Sequence, residues 1–266
     1  MSGLGMHVAG CTHVGQVRKH NEDRFELSSG LGLAVVCDGM GGHGDGEIAS
    51  QTAVEAIFDF ILEYDPSLDE QSFSNADSPV DPAQSACAVV RQAVVLANRR
   101  LHSLNEERDL PPGRGMGTTA VGIWLVEGKD QVVVFHVGDS RAYLIRNGVA
   151  IQLTRDHSVW QVWADNGRVG AEPRRNLIIR ALGVSDDHDA APDITLISAF
   201  PSDVIVLCSD GLHSLVSDKD IAEIATQAHG RNSEAMSRVA ESLVEKANQQ
   251  GGTDNVTVVV AAFEQF

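Results

Sequence analysis

The sequence predicts a layered α+β domain in which long helices cover antiparallel sheet, and three observations carry that expectation. Apolar runs rich in Val, Ile and Ala, bounded by Gly, Asp and Ser, recur at strand length. Four other segments space their apolar residues at the helical period, so each has one face that needs a partner. The two kinds come in blocks (strands, two helices, a strand block, two helices, a last strand). That order argues against a doubly wound parallel sheet, whose elements alternate.

Taken in order, the first clear strand is Leu31–Cys37. A helical stripe follows at Ala49, Ala53, Ala56, Ile57, Phe60, Ile61 and Tyr64, and a second at Ala86, Val90, Ala93, Ala97, Leu101 and Leu104. Between them Asp65–Pro82 carries four Asp, four Ser and three Pro with little periodicity, and it reads as an exposed, flexible insertion. Strands are expected at Thr118–Leu125, Gln131–Val137, Arg141–Ile145 and Val149–Leu153. Asn147-Gly148 joins the last two as a two-residue hairpin, because both residues tolerate positive φ. Further strands fall at Ile194–Ala199 and Val204–Cys208. Ser217, with Asp220 three residues on, caps a helix through Ile221, Ile224, Ala225 and Ala228. Met236, Val239, Ala240, Leu243, Val244 and Ala247 line the last helix, before a final strand at Val256–Phe263. No composition break divides the chain, so residues 1–266 read as one domain.

Composition excludes several functions. The chain has 266 residues, 43% of them hydrophobic, and a formal charge of −17 from 37 acids and 20 bases. That balance argues against nucleic acid and against an anionic membrane surface, both of which select basic proteins. No apolar run approaches the ~20 residues of a membrane span. The start lacks a basic segment followed by an apolar stretch, so a cytoplasmic protein is expected. The four cysteines are widely spaced, and three lie in or beside apolar runs, as buried, reduced thiols would.

Aspartate supplies 22 of the 37 acids, and its placement is informative. Asp38-Gly39 and Asp210-Gly211 each close an apolar run, Asp139 follows a third, and Asp254 precedes a fourth. An Asp-Gly pair after a strand commonly marks a turn. Several carboxylates at strand ends can also converge, and like charges that close must protonate or find a cation. Oxygen ligands without His or Cys suit Mg²⁺ or Mn²⁺. Zinc is disfavoured, since the ten histidines show no HxxxH or HExxH spacing. There is no phosphate-binding GxxxxGK[ST], the lone glycine-rich GMGGHG is discounted as a nucleotide loop, Ser209 lies outside GxSxG, and no cysteine sits in CxxxxxR.

Eight motifs then occur in order: Arg18–Asp23 (RKHNED), Asp38–His43 (DGMGGH), Gly117–Thr119 (GTT), Val137–Tyr143 (VGDSRAY), Leu153–His157 (LTRDH), Arg180–Gly183 (RALG), Cys208–Leu212 (CSDGL) and Thr253–Thr257 (TDNVT). Together they resemble the metal-dependent protein phosphatase family (PPM, type 2C) in its bacterial serine/threonine form, from about Val8 to Phe263. The resemblance implies a four-layer α-β-β-α sandwich: two stacked antiparallel sheets flanked by helix pairs, with a metal cleft at the sheet edges. It implies that Asp38 bridges two Mn²⁺ or Mg²⁺ ions, with the Gly39 carbonyl on one and Asp210 and Asp254 on the other. Asp139, with Asp210, matches a third-metal position. Glu22 and Asp23 act through metal-bound water or hydrogen bonds, and Arg18 holds the substrate phosphate. The implied reaction is hydrolysis of phosphoserine and phosphothreonine in proteins by a hydroxide formed between two ions, without a phosphoenzyme.

The chain also departs from the family. Met40 stands where many eukaryotic members have His as the acid for the leaving alcohol, so a metal-bound water is the expected donor and His43 a weaker alternative. The flap, about 157–176, is shorter than usual and carries Trp160 and Trp163 at i, i+3 spacing. These residues either pack within the flap or border the substrate groove. The expected partners are a phosphoprotein and its cognate Ser/Thr kinase in signal transduction, with the phosphatase a monomer. The competing reading is a catalytically silent member that binds a phosphoprotein as an interaction module.

Overall fold

The computed structural model describes residues 3–41, 45–64, 81–110, 115–227 and 232–265. Eleven strands form two antiparallel sheets among these residues. One sheet has the order β1 (Leu4–His13), β11 (Val256–Gln265), β10 (Val204–Cys208), β7 (Arg141–Arg146), β8 (Val149–Gln152). The other runs β2 (Asp23–Ser28), β3 (Leu33–Met40), β5 (Ala120–Leu125), β6 (Gln131–Val137), β9 (Asp193–Ser198), and the two-residue β4 (Gly117–Thr118) pairs with the end of β3. Helices α1 (Asp45–Leu62) and α2 (Pro82–Glu107) cover the second sheet. The short α4 (Asp210–His213), with α5 (Asp218–Thr226) and α6 (Ser233–Gln249), covers the first. The remaining described helix, α3 (Val159–Asp165), lies between β8 and β9 and buries none of its residues. The expected four-layer α-β-β-α sandwich is the observed fold.

Strand periodicity explains why several strands read as unbroken apolar runs. Alternate residues face opposite sides of a sheet, and here both sides are buried. Val204, Val206 and Cys208 of β10 face α4–α6, while Ile205 and Leu207 face the other sheet. Likewise Val133, Phe135 and Val137 of β6 pack under α1 and α2, while Val132 and Val134 enter the layer between the sheets. Ser217 caps α5 as expected, accepting from the Asp220 N–H, and Asn147 and Gly148 take φ of 54° and 76° in the β7–β8 hairpin.

Four expectations need correction. The segment expected as one strand, Thr118–Leu125, is two: the Thr119 N–H still donates to the Asp38 carbonyl of β3 at 2.9 Å, but the Asp38 N–H goes to the Thr119 hydroxyl at 3.1 Å instead of returning to its carbonyl. Strands β1 and β2 were not anticipated. Pro82 is not loop but the first residue of α2, preceded by Asp81, whose side chain accepts from the Ala83 N–H; residues 65–80 of the expected insertion lie outside the described residues. Finally, Cys37 and Cys208 are buried, but Cys11 and Cys87 are only partly so. All four are free thiols.

The Asp-Gly pair at Asp210 lies where two backbones nearly touch. A Cβ on Gly211 would stand 1.9 Å from the Asn255 carbonyl oxygen, which is main chain and cannot swing away. Replacing Gly211 by Ala should therefore lower the unfolding free energy by about 1–3 kcal/mol, the usual range for overpacking, as measured by urea denaturation.

Candidate active site

At one end of the layer between the sheets, apolar side chains give way to acids. Asp23 and Asp38 stand directly opposite each other in the β2–β3 register. The repulsion acting on Asp38 comes from Asp23, Asp210, Asp139 and Asp254, so the structure brings the four strand-end acids of the sequence together with a fifth. Each is held from behind. The Asp38 N–H donates to Thr119 Oγ1 at 3.1 Å, and its carbonyl accepts from Thr118 Oγ1 at 2.8 Å. Asp23, 1% exposed, accepts from Ser209 Oγ at 2.7 Å, and that oxygen accepts in turn from the Thr257 N–H at 3.0 Å. Ser209 thus ties one sheet to the other at the site.

The rim is equally ordered. Asp254 accepts from the Asn255 N–H at 2.9 Å and from Arg18 Nη2 at 2.7 Å. Asn255 accepts from the Glu22 N–H at 2.9 Å and donates to the Val14 and His20 carbonyls at 3.0 and 2.9 Å. This side chain therefore fixes the loop that carries both Arg18 and Glu22. Gly39 donates its N–H to the Glu22 carbonyl at 3.2 Å, and a Cβ there would lie 2.0 Å from the Gly46 oxygen. Only glycine allows that contact between β3 and the start of α1. The Glu22 carboxyl reaches the same first turn, within 2.9 Å of where a Cβ on Gly46 would stand. Asp139, 5% exposed, follows Gly138, and its carbonyl accepts from His213 Nε2 at 3.0 Å. Just beyond, Arg141 grips Asp156 through Nε and Nη2 at 2.8 and 2.7 Å.

Burial is the main electrostatic effect and mutual repulsion the next. Burial pushes Asp23 up to about 7 against the hydrogen bonds from Ser209 and Thr257, with smaller repulsion from Asp210 and Asp254. Asp139 rises to about 7 by burial and the Asp210 charge, and Asp210 to about 6 by burial and Asp254, with Arg18 acting in the opposite sense. Asp38 rises furthest, well above the carboxylate range, for the same two reasons. Burial pushes His213 down to about 4, so it holds the Asp139 carbonyl as a neutral imidazole.

Arg18, Glu22, Asp38, Gly39, Asp139, Asp210 and Asp254 thus occupy one region, with Arg18 exposed at its rim. His43 lies outside the described residues. Asn255, Thr119 and Ser209 are the organisers that reasoning from sequence did not single out. Their signal was polar residues packed against the strand-end acids in GTT, CSD and TDN. A cluster of carboxylates, with Asp23 and Asp139 buried and Asp38, Asp210 and Asp254 half-buried beside them, fits hard divalent cations. Protons compete with such cations for the same oxygens. Mn²⁺ affinity measured by calorimetry should therefore rise from pH 5.5 to 7.5, by about tenfold per pH unit for each proton displaced, as Asp210, Asp23 and Asp139 ionise.

Comparison with known proteins follows this geometry. A model of the family described as protein phosphatase 2C matches residues 10–246. The serine/threonine phosphatase stp of Listeria monocytogenes is 34% identical over 263 residues, covering 96% of this chain and 95% of the relative. The serine/threonine protein phosphatase PstP of Mycobacterium tuberculosis is 38% identical over 267 residues, 97% of this chain and 45% of PstP. The crystal structure of M. tuberculosis PstP superposes with a TM-score of 0.79 at 34% identity, covering 97% of this chain and 98% of that one. A structure of the PstP catalytic domain in complex with two manganese ions gives a TM-score of 0.78 at 34% identity, covering 98% and 99%. The chain belongs to the protein phosphatase 2C family, in its bacterial serine/threonine form.

Proposed function

We propose that this protein serine/threonine phosphatase removes phosphate from phosphoserine and phosphothreonine in proteins by metal-assisted attack of water, opposing a Ser/Thr kinase. One observation carries the reading. Five mutually repelling carboxylates are fixed at the end of an apolar layer, with the guanidinium of Arg18 at their rim. Asp38, the Gly39 carbonyl, Asp210 and Asp254 would hold two Mn²⁺ or Mg²⁺ ions, with Asp139 and Asp210 toward a third. When bound, such ions make water a nucleophile near neutral pH and neutralise developing phosphoryl charge.

The chain's own residues do the rest. Arg18 donates one Nη2 hydrogen bond to Asp254, and the rest of its fork is available for phosphate oxygens. That contact also fixes where the phosphate is held relative to Asp254. Asn255 and the Glu22 carbonyl, which accepts from Ser50 Oγ and the Gly39 N–H, keep the Arg18–Glu22 loop in register with β3 and β11. The Glu22 carboxylate, beside the first turn of α1, is placed to accept hydrogen bonds from water at the cleft. No helix among the described residues is long and apolar enough to cross a membrane. The reading takes the chain as one catalytic domain, monomeric and cytoplasmic, with residues 157–176 as its flap.

Chelation by EDTA should abolish hydrolysis of a phosphothreonine peptide, and Asp210→Ala or Asp254→Ala should lower kcat by at least about a hundredfold. Undiminished turnover in EDTA would overturn the proposal. Binding of Mn²⁺ in the calorimeter by a sample that hydrolyses nothing would instead favour the silent interaction module.

A further inference from the structure

We propose that His157, oriented by Asp193, is a positioning residue for Asp139: it clamps the Gly138 backbone and so fixes where the Asp139 carboxylate stands. The inference rests on the phosphatase reading of the Asp139 site. Gly138 turns the chain out of β6 at φ 106°, and a Cβ there would lie 2.6 Å from Thr119 Cγ2. The residue before Asp139 therefore has no side chain to anchor it, and its conformation must be held from outside.

His157 holds it at two points. Ring Nδ1 accepts from the Gly138 N–H at 3.0 Å, and the His157 backbone N–H donates to the Gly138 carbonyl at 2.9 Å. A nitrogen that accepts carries no proton, so in the neutral ring the proton is on Nε2. That atom faces Asp193 Oδ2 at 3.3 Å, at the start of β9. The ring also stacks on His136, with centroids 4.5 Å apart, and His136 Nε2 contacts the Arg155 carbonyl at 2.8 Å.

His136, His157 and Asp193 lie close enough together to hold a metal ion, but their hydrogen bonding opposes it. His157 Nε2 is crowded by Asp193 and by Arg180 Nη1, which stands 2.8 Å from it and donates to Asp193 Oδ1 at 2.9 Å. With the Gly138 N–H on Nδ1, and Arg180 and Asp193 at Nε2, neither ring nitrogen of His157 is open to an ion. The arrangement is an orienting pair, and it reaches the flap. Ile179 donates its N–H to the His157 carbonyl at 2.8 Å, and Arg180 Nε donates to the Asp189 carbonyl at 2.7 Å. Both ends of segment 157–179 thus meet at the residue that grips Gly138.

Two isosteres separate the roles of the ring. His157→Asn places an amide oxygen near the position of Nδ1, whereas His157→Gln reaches toward the position of Nε2 and abandons Gly138. The readouts are thermal midpoint, kcat and KM for p-nitrophenyl phosphate at saturating Mn²⁺, and hydrogen exchange of the Gly138 amide in metal-free protein. His157→Gln should lower kcat about ten- to a hundredfold with KM within about twofold, while His157→Asn stays within about threefold of the native kcat. Gly138 should exchange faster in the Gln variant and not in the Asn variant. Equal losses in both variants, or an unchanged Gly138 amide, would sink the inference. If the Gln variant does not fold, Asp193→Ala carries the test. The Asp193 side chain is 54% exposed, so kcat should fall while the midpoint holds, and an unchanged kcat overturns the inference. An inactive native enzyme would instead overturn the phosphatase reading, so the two failures are distinguishable.

Discussion

The structure is organised around negative charge crowded at the end of an apolar layer. Asp23 and Asp38 continue the same inter-sheet faces that carry Phe25, Ala34 and Val36. Water that would screen them is replaced by packed methyl groups on one side. In that setting each carboxylate raises the proton affinity of the next. The sheets cannot relieve the repulsion by drifting apart. Ser209 and Thr257 bind Asp23 across the gap, and Gly39 and Gly211 bring backbones into contact where any side chain would clash. The fold supplies the rigidity, and the acids supply the demand for counter-charge.

That division of labour explains what was legible in the sequence. Strands β3, β6, β10 and β11 were readable because both faces are buried, which produces continuous Val- and Ile-rich runs. Strand β1 was not, because Leu4–His13 mixes glycine and polar residues. It is a strand through its ladder with β11, some 250 residues away. A pairing that remote leaves no local trace. Strand β2 was hidden for a functional reason: Asp23-Arg24 opens it, and Asp23 is buried for the site rather than for the core. The break at Thr119 has the same origin, since its hydroxyl takes the Asp38 N–H that would otherwise continue the ladder.

The site was legible where one residue type repeated with one grammar. An Asp at the end of an apolar strand recurs, and recurrence distinguishes it from a turn signal. Residues that act through a partner distant in sequence were not. Asn255 holds one loop at three points through one amide, and Ser209 couples Asp23 to β11. Neither type nor spacing marks such a role. His157 lay within a quoted motif, yet its meaning depends on Gly138, 19 residues earlier, and on Asp193, 36 residues later.

The net charge of −17 first served to exclude nucleic acid, but its distribution says more. Acids buried at the site are costly to ionise, and burial and the nearby charges hold His213 and His157 neutral. Arg141 is committed to Asp156 and Tyr143, and Arg24 to the Asn21 and Asp23 carbonyls. Arg18 borders the acids as an exposed cation, with its side chain 51% exposed and one Nη2 hydrogen bond to Asp254. A phosphate approaching this end of the sandwich would meet repulsion from every carboxylate unless cations bound there first. On the proposed reading, the acids therefore do more than bind metal. They make phosphate binding conditional on metal, with Arg18 supplying the directional contact that a spherical ion cannot.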